Sequence, residues 1–178
     1  MWTAPTTADP FAAFKTVKDA IRSKTGDELT IAIMNTYTFN LMAATDAVKN
    51  RYLTTNGLSL GYLTDAEVKA IVEATSGLRI AIYDKQYKDE SGTAHSFVPD
   101  GYVCLIPAGN LGNTWYGTTP EEADLQGSNS AEVSIVNTGV AISREIQNHP
   151  VNINTFASEI VLPSFERMDS VGVLKVIA

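Results

Sequence analysis

The 178-residue chain is 44% hydrophobic and 19% charged, a balance that can bury a sizeable core in one or two compact units and excludes a disordered chain. Twenty carboxylates against 13 Lys and Arg leave a net charge of −7, which argues against a general nucleic-acid binder. No run reaches the ~18 apolar residues needed to cross a bilayer, and the single cysteine excludes an internal disulfide and a cysteine-based zinc site. Met1-Trp2-Thr3-Ala4-Pro5 carries no basic region followed by an apolar run, so no signal peptide is expected and the reading is a soluble protein of a reducing compartment.

The first predicted element is a helix. Asp9 is a good cap, Pro10 suits the first turn, Phe11, Phe14, Val17 and Ile21 form one apolar stripe, and Thr25-Gly26 ends it. The eight residues before it read as the end of a connection. Residues 30–34 (TIAIM) form a short buried strand, followed by one helix capped by Asn35 or Thr36 with Phe39, Met42, Ala43 and Ala47 on its inner face. Asn56-Gly57 marks a turn. Thr64 and Glu67 have capping-box spacing and open a helix that buries Val68, Ile71 and Val72 and stops at Gly77. Strands are expected at 78–83 and 102–106, with a solvated turn at 89–92 between them. Beyond Pro107, glycines at 109, 112, 117 and 127 punctuate the chain, and strands are expected at 131–136, 139–143, 151–156 and 171–177. Helices first and strands last predict an α+β fold, with two lobes built from discontinuous pieces.

Chemistry-bearing residues are few. His95 and His149 sit in loop-like contexts without a second histidine or a carboxylate at ligand spacing, and read as surface histidines. Cys104 lies mid-strand, where a thiol behaves as a small hydrophobe. Gly109-Asn110-Leu111-Gly112 lacks the third glycine of a dinucleotide fingerprint and the Gly-Lys-Ser/Thr of a P-loop, and reads as a tight turn between strands. Glu121, Glu122 and Asp124 follow Thr119-Pro120; calcium loops alternate their ligands, so a capped first helical turn fits better. Lys15, Lys18 and Arg22 flank the stripe of the first helix, either as a solvated face or as a contact for an acidic partner or nucleic-acid phosphates. Trp115 and Tyr116 fit an interface anchor and core packing equally well. No cofactor, metal or catalytic residue is assigned.

One passage is distinctive in its order: FVPDGYVCLIP, then GNLGNTWYGTTPEEADL, then GVAI, then HPVNINTFASEIVLPSFERMDSVGVLKV, with Leu162-Pro163, Asp169 and Val171 in its closing segment. Together with the Asp-Pro-opened helix and LRIAIYDKQYKDESG, it resembles the tailed-phage major capsid proteins of the lambda capsid protein E type across essentially the whole chain.

The resemblance implies the tailed-phage capsid fold: a peripheral lobe with a spine helix and β-ribbon, and an axial lobe with a central sheet and flanking helices. On this chain, residues 9–24 would be the spine helix. Residues 1–27 and 130–165 would form the peripheral lobe, and 28–129 with 166–178 the axial lobe. It further implies a non-enzymatic shell protein that assembles in the host bacterial cytoplasm into pentamers and hexamers around DNA. Its partners would be its own copies and a scaffolding protein, with no sequence-specific nucleic acid and no membrane. Trp115, Tyr116, Lys15, Lys18 and Arg22 are the expected subunit-interface residues. Family members carry an N-terminal arm and an extended loop before the spine helix, so an N-terminally truncated fragment is expected here. Two other readings remain: a small cytoplasmic α+β enzyme or ligand-binding domain using 121–124 with His95 or His149, and an encapsulin-like cargo shell.

Overall fold

Asp9 opens the first helix, α1 (Pro10–Thr25), as its local sequence requires. The Asp9 carboxylate accepts from the Phe11 and Ala12 amides, and Gly26 closes the helix with its own amide on the Arg22 carbonyl. The computed structural model describes residues 1–56, 63–125, 133–137, 139–149 and 151–177. After α1 come β1 (Leu29–Met34), α2 (Thr36–Ala43) and α3 (Asp46–Asn56).

The stretch expected as one helix is therefore two. Asn35 caps α2 by accepting from the Thr38 amide at 2.9 Å. A continued helix would turn the Asp46 amide onto the Met42 carbonyl, but that amide donates to the Pro5 carbonyl at 3.0 Å instead. The buried Thr45 hydroxyl donates to the Met42 carbonyl at 2.7 Å and completes the break. Ala47 thus belongs to α3. The expected turn at Asn56-Gly57 falls partly outside the described residues, with Asn56 ending α3.

Helix α4 (Asp65–Ser76) has the expected capping box: Thr64 donates its amide to the Glu67 carboxylate at 2.8 Å and accepts from the Glu67 amide. The chain continues through β2 (Arg79–Ile82), β3 (Gln86–Lys88), β4 (Ala94–Ser96) and β5 (Tyr102–Pro107). Then follow β6 (Gly112–Tyr116), α5 (Pro120–Leu125), β7 (Val133–Asn137), β8 (Val140–Asn148), β9 (Val151–Glu159) and β10 (Val161–Phe165). A single 3-10 turn (Met168–Ser170) leads to β11 (Gly172–Lys175). Strands β3, β4, β6 and β10 were not expected from the sequence.

These elements form two compact units, Met1–Gly109 with Arg167–Ala178, and Asn110–Glu166. The larger unit holds a four-stranded sheet in the order β11-β5-β1-β2, in which β1 and β2 are parallel and the other pairs antiparallel. In register, Ala32 faces Ile80 on one side and Leu105 on the other, so these three share a face. That face is buried with Phe14, Phe39, Met42, Val68 and Val72 of the helices. Helix α1 lies so close to β11 that a Cβ added at Gly172 would come within 2.4 Å of a Val17 methyl. The returning chain is fastened by Arg167, which pairs with Asp27 at 2.7 Å, and by the Ser170 hydroxyl, which donates to the same carboxylate.

The smaller unit contains a β6–β10 ladder and a β7-β8-β9 meander, with α5 against β7 and β8. The Gly117 amide donates to the Ile160 carbonyl, and the Ile160 amide to the Gly139 carbonyl, which ties the ladder to the meander. Among its described residues, Ala141 is the one fully buried hydrophobic side chain. Contacts place α1 with the larger unit, whereas the expected lobes grouped 1–27 with 130–165.

Candidate functional site

The basic flank of α1 lines a groove of about 700 Å³ together with Phe11, Ala47 and Arg51. Its three expected cations have different occupations. Lys18 is largely covered, donates from Nζ to the Ser76 carbonyl at 2.8 Å, and lies 3.8 Å from the Glu28 carboxylate. Arg22 pairs with the same carboxylate at 3.1 Å. Lys15 is exposed. Part of this flank therefore ties helices together, and Lys15 is the cation most open to a partner.

Trp115 and Tyr116 lie on β6, and the ladder sets Trp115 opposite Leu162 and Tyr116 opposite Val161. Trp115 is 59% exposed, Leu162 66% and Tyr116 54%, which removes the core-packing alternative for both aromatics. A two-stranded ladder has no second layer to bury them.

His95 stands on β4 opposite Tyr87, with its Nε2 3.0 Å from the Asp89 carboxylate. The hairpin thus supplies the carboxylate that sequence spacing did not reveal. Donation by the Ser91 hydroxyl, the His95 ring and the Thr93 amide lowers the Asp89 pKa to about 2. His149 is exposed at the turn from β8 to β9. Cys104 is half-buried in β5, and desolvation pushes its thiol pKa up, away from nucleophilic reactivity.

The acidic stretch forms the first turn of α5, as expected. The Ala123 amide donates to the carbonyl of the buried Thr119. Hydrogen bonding, chiefly from the Ser158 side chain, holds the Glu121 carboxyl below its ordinary pKa. The side chains of Glu122 and Asp124 lie outside the described ones. The segment 109–112 is a link from β5 to β6, two strands of different sheets. Among the described residues, no three His, Cys, Asp or Glu side chains gather where they could hold a metal ion, and no helix is long and apolar enough to cross a membrane.

One surface was not foreseen. The sheet face opposite the core carries Ile31, Ile33, Ala81, Cys104, Ile106 and Val173, none of them fully buried. Burial alternates along β5, but its residues, Tyr-Val-Cys-Leu-Ile-Pro, are continuously apolar, so the sequence does not mark two unequal faces.

This α+β construction, a sheet-and-helix unit joined to strand ladders, shares its fold with solved structures of prophage origin. A protein described as a prophage capsid protein of E. coli CFT073 superposes with a TM-score of 0.64 at 17% identity, over 99% of this chain and 50% of the other. A phage-related protein from Bordetella bronchiseptica RB50 superposes with a TM-score of 0.55 at 15% identity, over 98% of this chain and 52% of the other. These likenesses show a shared fold, and the chain spans about half the length of the structures it matches. The model of the family described as phage major capsid protein E matches residues 1–176, and the chain belongs to that family. No curated protein sequence matches it.

Proposed function

We propose that this chain is a structural subunit of a phage or prophage shell, acting through shape and contact, with no catalysis and no cofactor. The observation that carries this reading is the family match over residues 1–176. A net charge of −7 supports it, because like charge keeps a shell wall from clinging to packaged DNA. In this reading copies of the subunit form pentamers and hexamers in the host cytoplasm, aided by a scaffolding protein, and end in the virion. Residues 1–27 and 130–165 form the peripheral lobe, and 28–129 with 166–178 the axial lobe. Trp115, Tyr116, Lys15 and Arg22 meet neighbouring subunits, with Lys18 behind them as a tie to α4.

The test is mass spectrometry of particles purified from the source after prophage induction. Peptides spanning residues 80–85 and 145–167 should belong to the most abundant protein of DNA-filled particles. Their absence from particles, with recovery only in soluble extract, would overturn the reading. Recovery in DNA-free shells enclosing a protein cargo would replace it with an encapsulin-like role.

A further inference from the structure

Among the described residues, the face of the four-stranded sheet opposite the core keeps part of its apolar surface exposed. Ile31, Ile33 and Ala81 on β1 and β2, Cys104 and Ile106 on β5, and Val173 on β11 point away from the core, as the register with Arg79, Tyr102 and Lys175 requires. None of them belongs to the core cluster; Ile31, Ile33, Ala81, Cys104 and Ile106 are half-buried, and Val173 at the edge is 60% exposed. An apolar sheet face is ordinarily covered by a second layer. The two outer strands, β2 and β11, place exposed Arg79 and Lys175 on this same face, so an apolar centre is bordered by cations.

The Asn110–Glu166 unit has the complementary character. Its sequence holds seven carboxylates and one arginine, and most of the chain's net charge resides there. It also exposes Trp115, Leu162, Val151, Ile153 and Phe156. On one face of the β6–β10 ladder, Trp115 and Leu162 stand opposite each other, Asn113 and Ser164 follow, and the Glu166 carboxylate accepts from both of the latter. An apolar anchor with a carboxylate beside it suits an apolar surface with cationic borders.

We propose that the partly exposed sheet face of one copy receives the Trp115–Leu162 face of a second copy. This rests on the shell reading and deepens it by naming the two surfaces. The contact is heterologous, since different patches meet, and it propagates from copy to copy until a ring closes.

The test uses two variants of the chain. Val173→Glu with Arg79→Glu disables the receiving face, and Trp115→Ser with Leu162→Ser disables the inserted one. All four positions are solvent-exposed, so unchanged melting curves are expected to certify folding. In sedimentation velocity, each variant alone should self-associate at least about tenfold more weakly than the parent. Mixing the two should restore a one-to-one complex that cannot grow, because each variant retains one intact face. Parent-like association of either folded variant, or a mixture that stays monomeric, overturns the proposal. So does a parent that binds duplex DNA through this face in preference to its own copies. If the variants associate like the parent while the parent is found in particles, this pairing fails and the shell reading stands. Absence of the parent from particles would remove both.

Discussion

The Lys18 ammonium donates to the Ser76 carbonyl at 2.8 Å, so α1 supplies the cation at the C-terminal end of α4. The last carbonyls of a helix lack intrahelical donors and carry the negative end of its dipole, and a largely covered lysine satisfies both needs. Glu28 lies 3.8 Å from the same ammonium.

Replacing Lys18 with Met should keep the packing of its stem and lose the bond. A loss of about 1–2 kcal/mol is expected in chemical denaturation. The exposed Lys15→Met should change stability by no more than about 0.5 kcal/mol. Equal effects at the two positions would contradict the assignment of Lys18 as a tie between helices.

Phe14 is completely buried and meets Trp2 edge-on, with ring centroids 5.7 Å apart. Phe14→Ala should cost about 3–5 kcal/mol by opening a cavity. Phe14→Asp should prevent the larger unit from folding, because it places an unpaired charge in the core. Circular dichroism of both variants checks the order: parent, then Ala, then Asp. An Asp variant as stable as the parent would remove α1 from the core.

Asp89 gives the β3–β4 hairpin an acid limit. Its folded pKa of about 2 lies below the ordinary 3.8, so its contribution is fully present above 3.8 and lost as pH falls toward 2. Carboxyl-carbon NMR should find Asp89 titrating well below the ordinary 3.8. Asp89→Asn should abolish the acid-dependent loosening of the hairpin. An Asp89 titration near 3.8 would show that the bonds from Ser91, His95 and Thr93 do not hold in solution.

Local chemistry was legible in the sequence. The Asp9 cap, the Thr64–Glu67 box and the Gly26 and Gly77 stops each depend on residues within one or two turns of each other. The order of motifs through 97–177 pointed to the family that the match over 1–176 then showed. Strand β10 was hidden because Pro163 interrupts its pattern, a residue tolerated only where a ladder leaves its amide side unpaired.

What the sequence by itself determined was the α+β class, the helix caps, the places of β1, β2, β5 and β11 and membership of a shell-protein family, since these follow from short-range periodicity, caps and motif order. Tertiary structure alone decided the rest. The Pro5 carbonyl takes the Asp46 amide and splits one helix into two. Lys18 is claimed by Ser76, while Trp115 and Leu162 are brought together on an uncovered ladder. One sheet face is buried and the other only partly so. Each of these depends on groups tens of residues apart, whose meeting is fixed by which surfaces the folded chain can cover, and no local pattern records that.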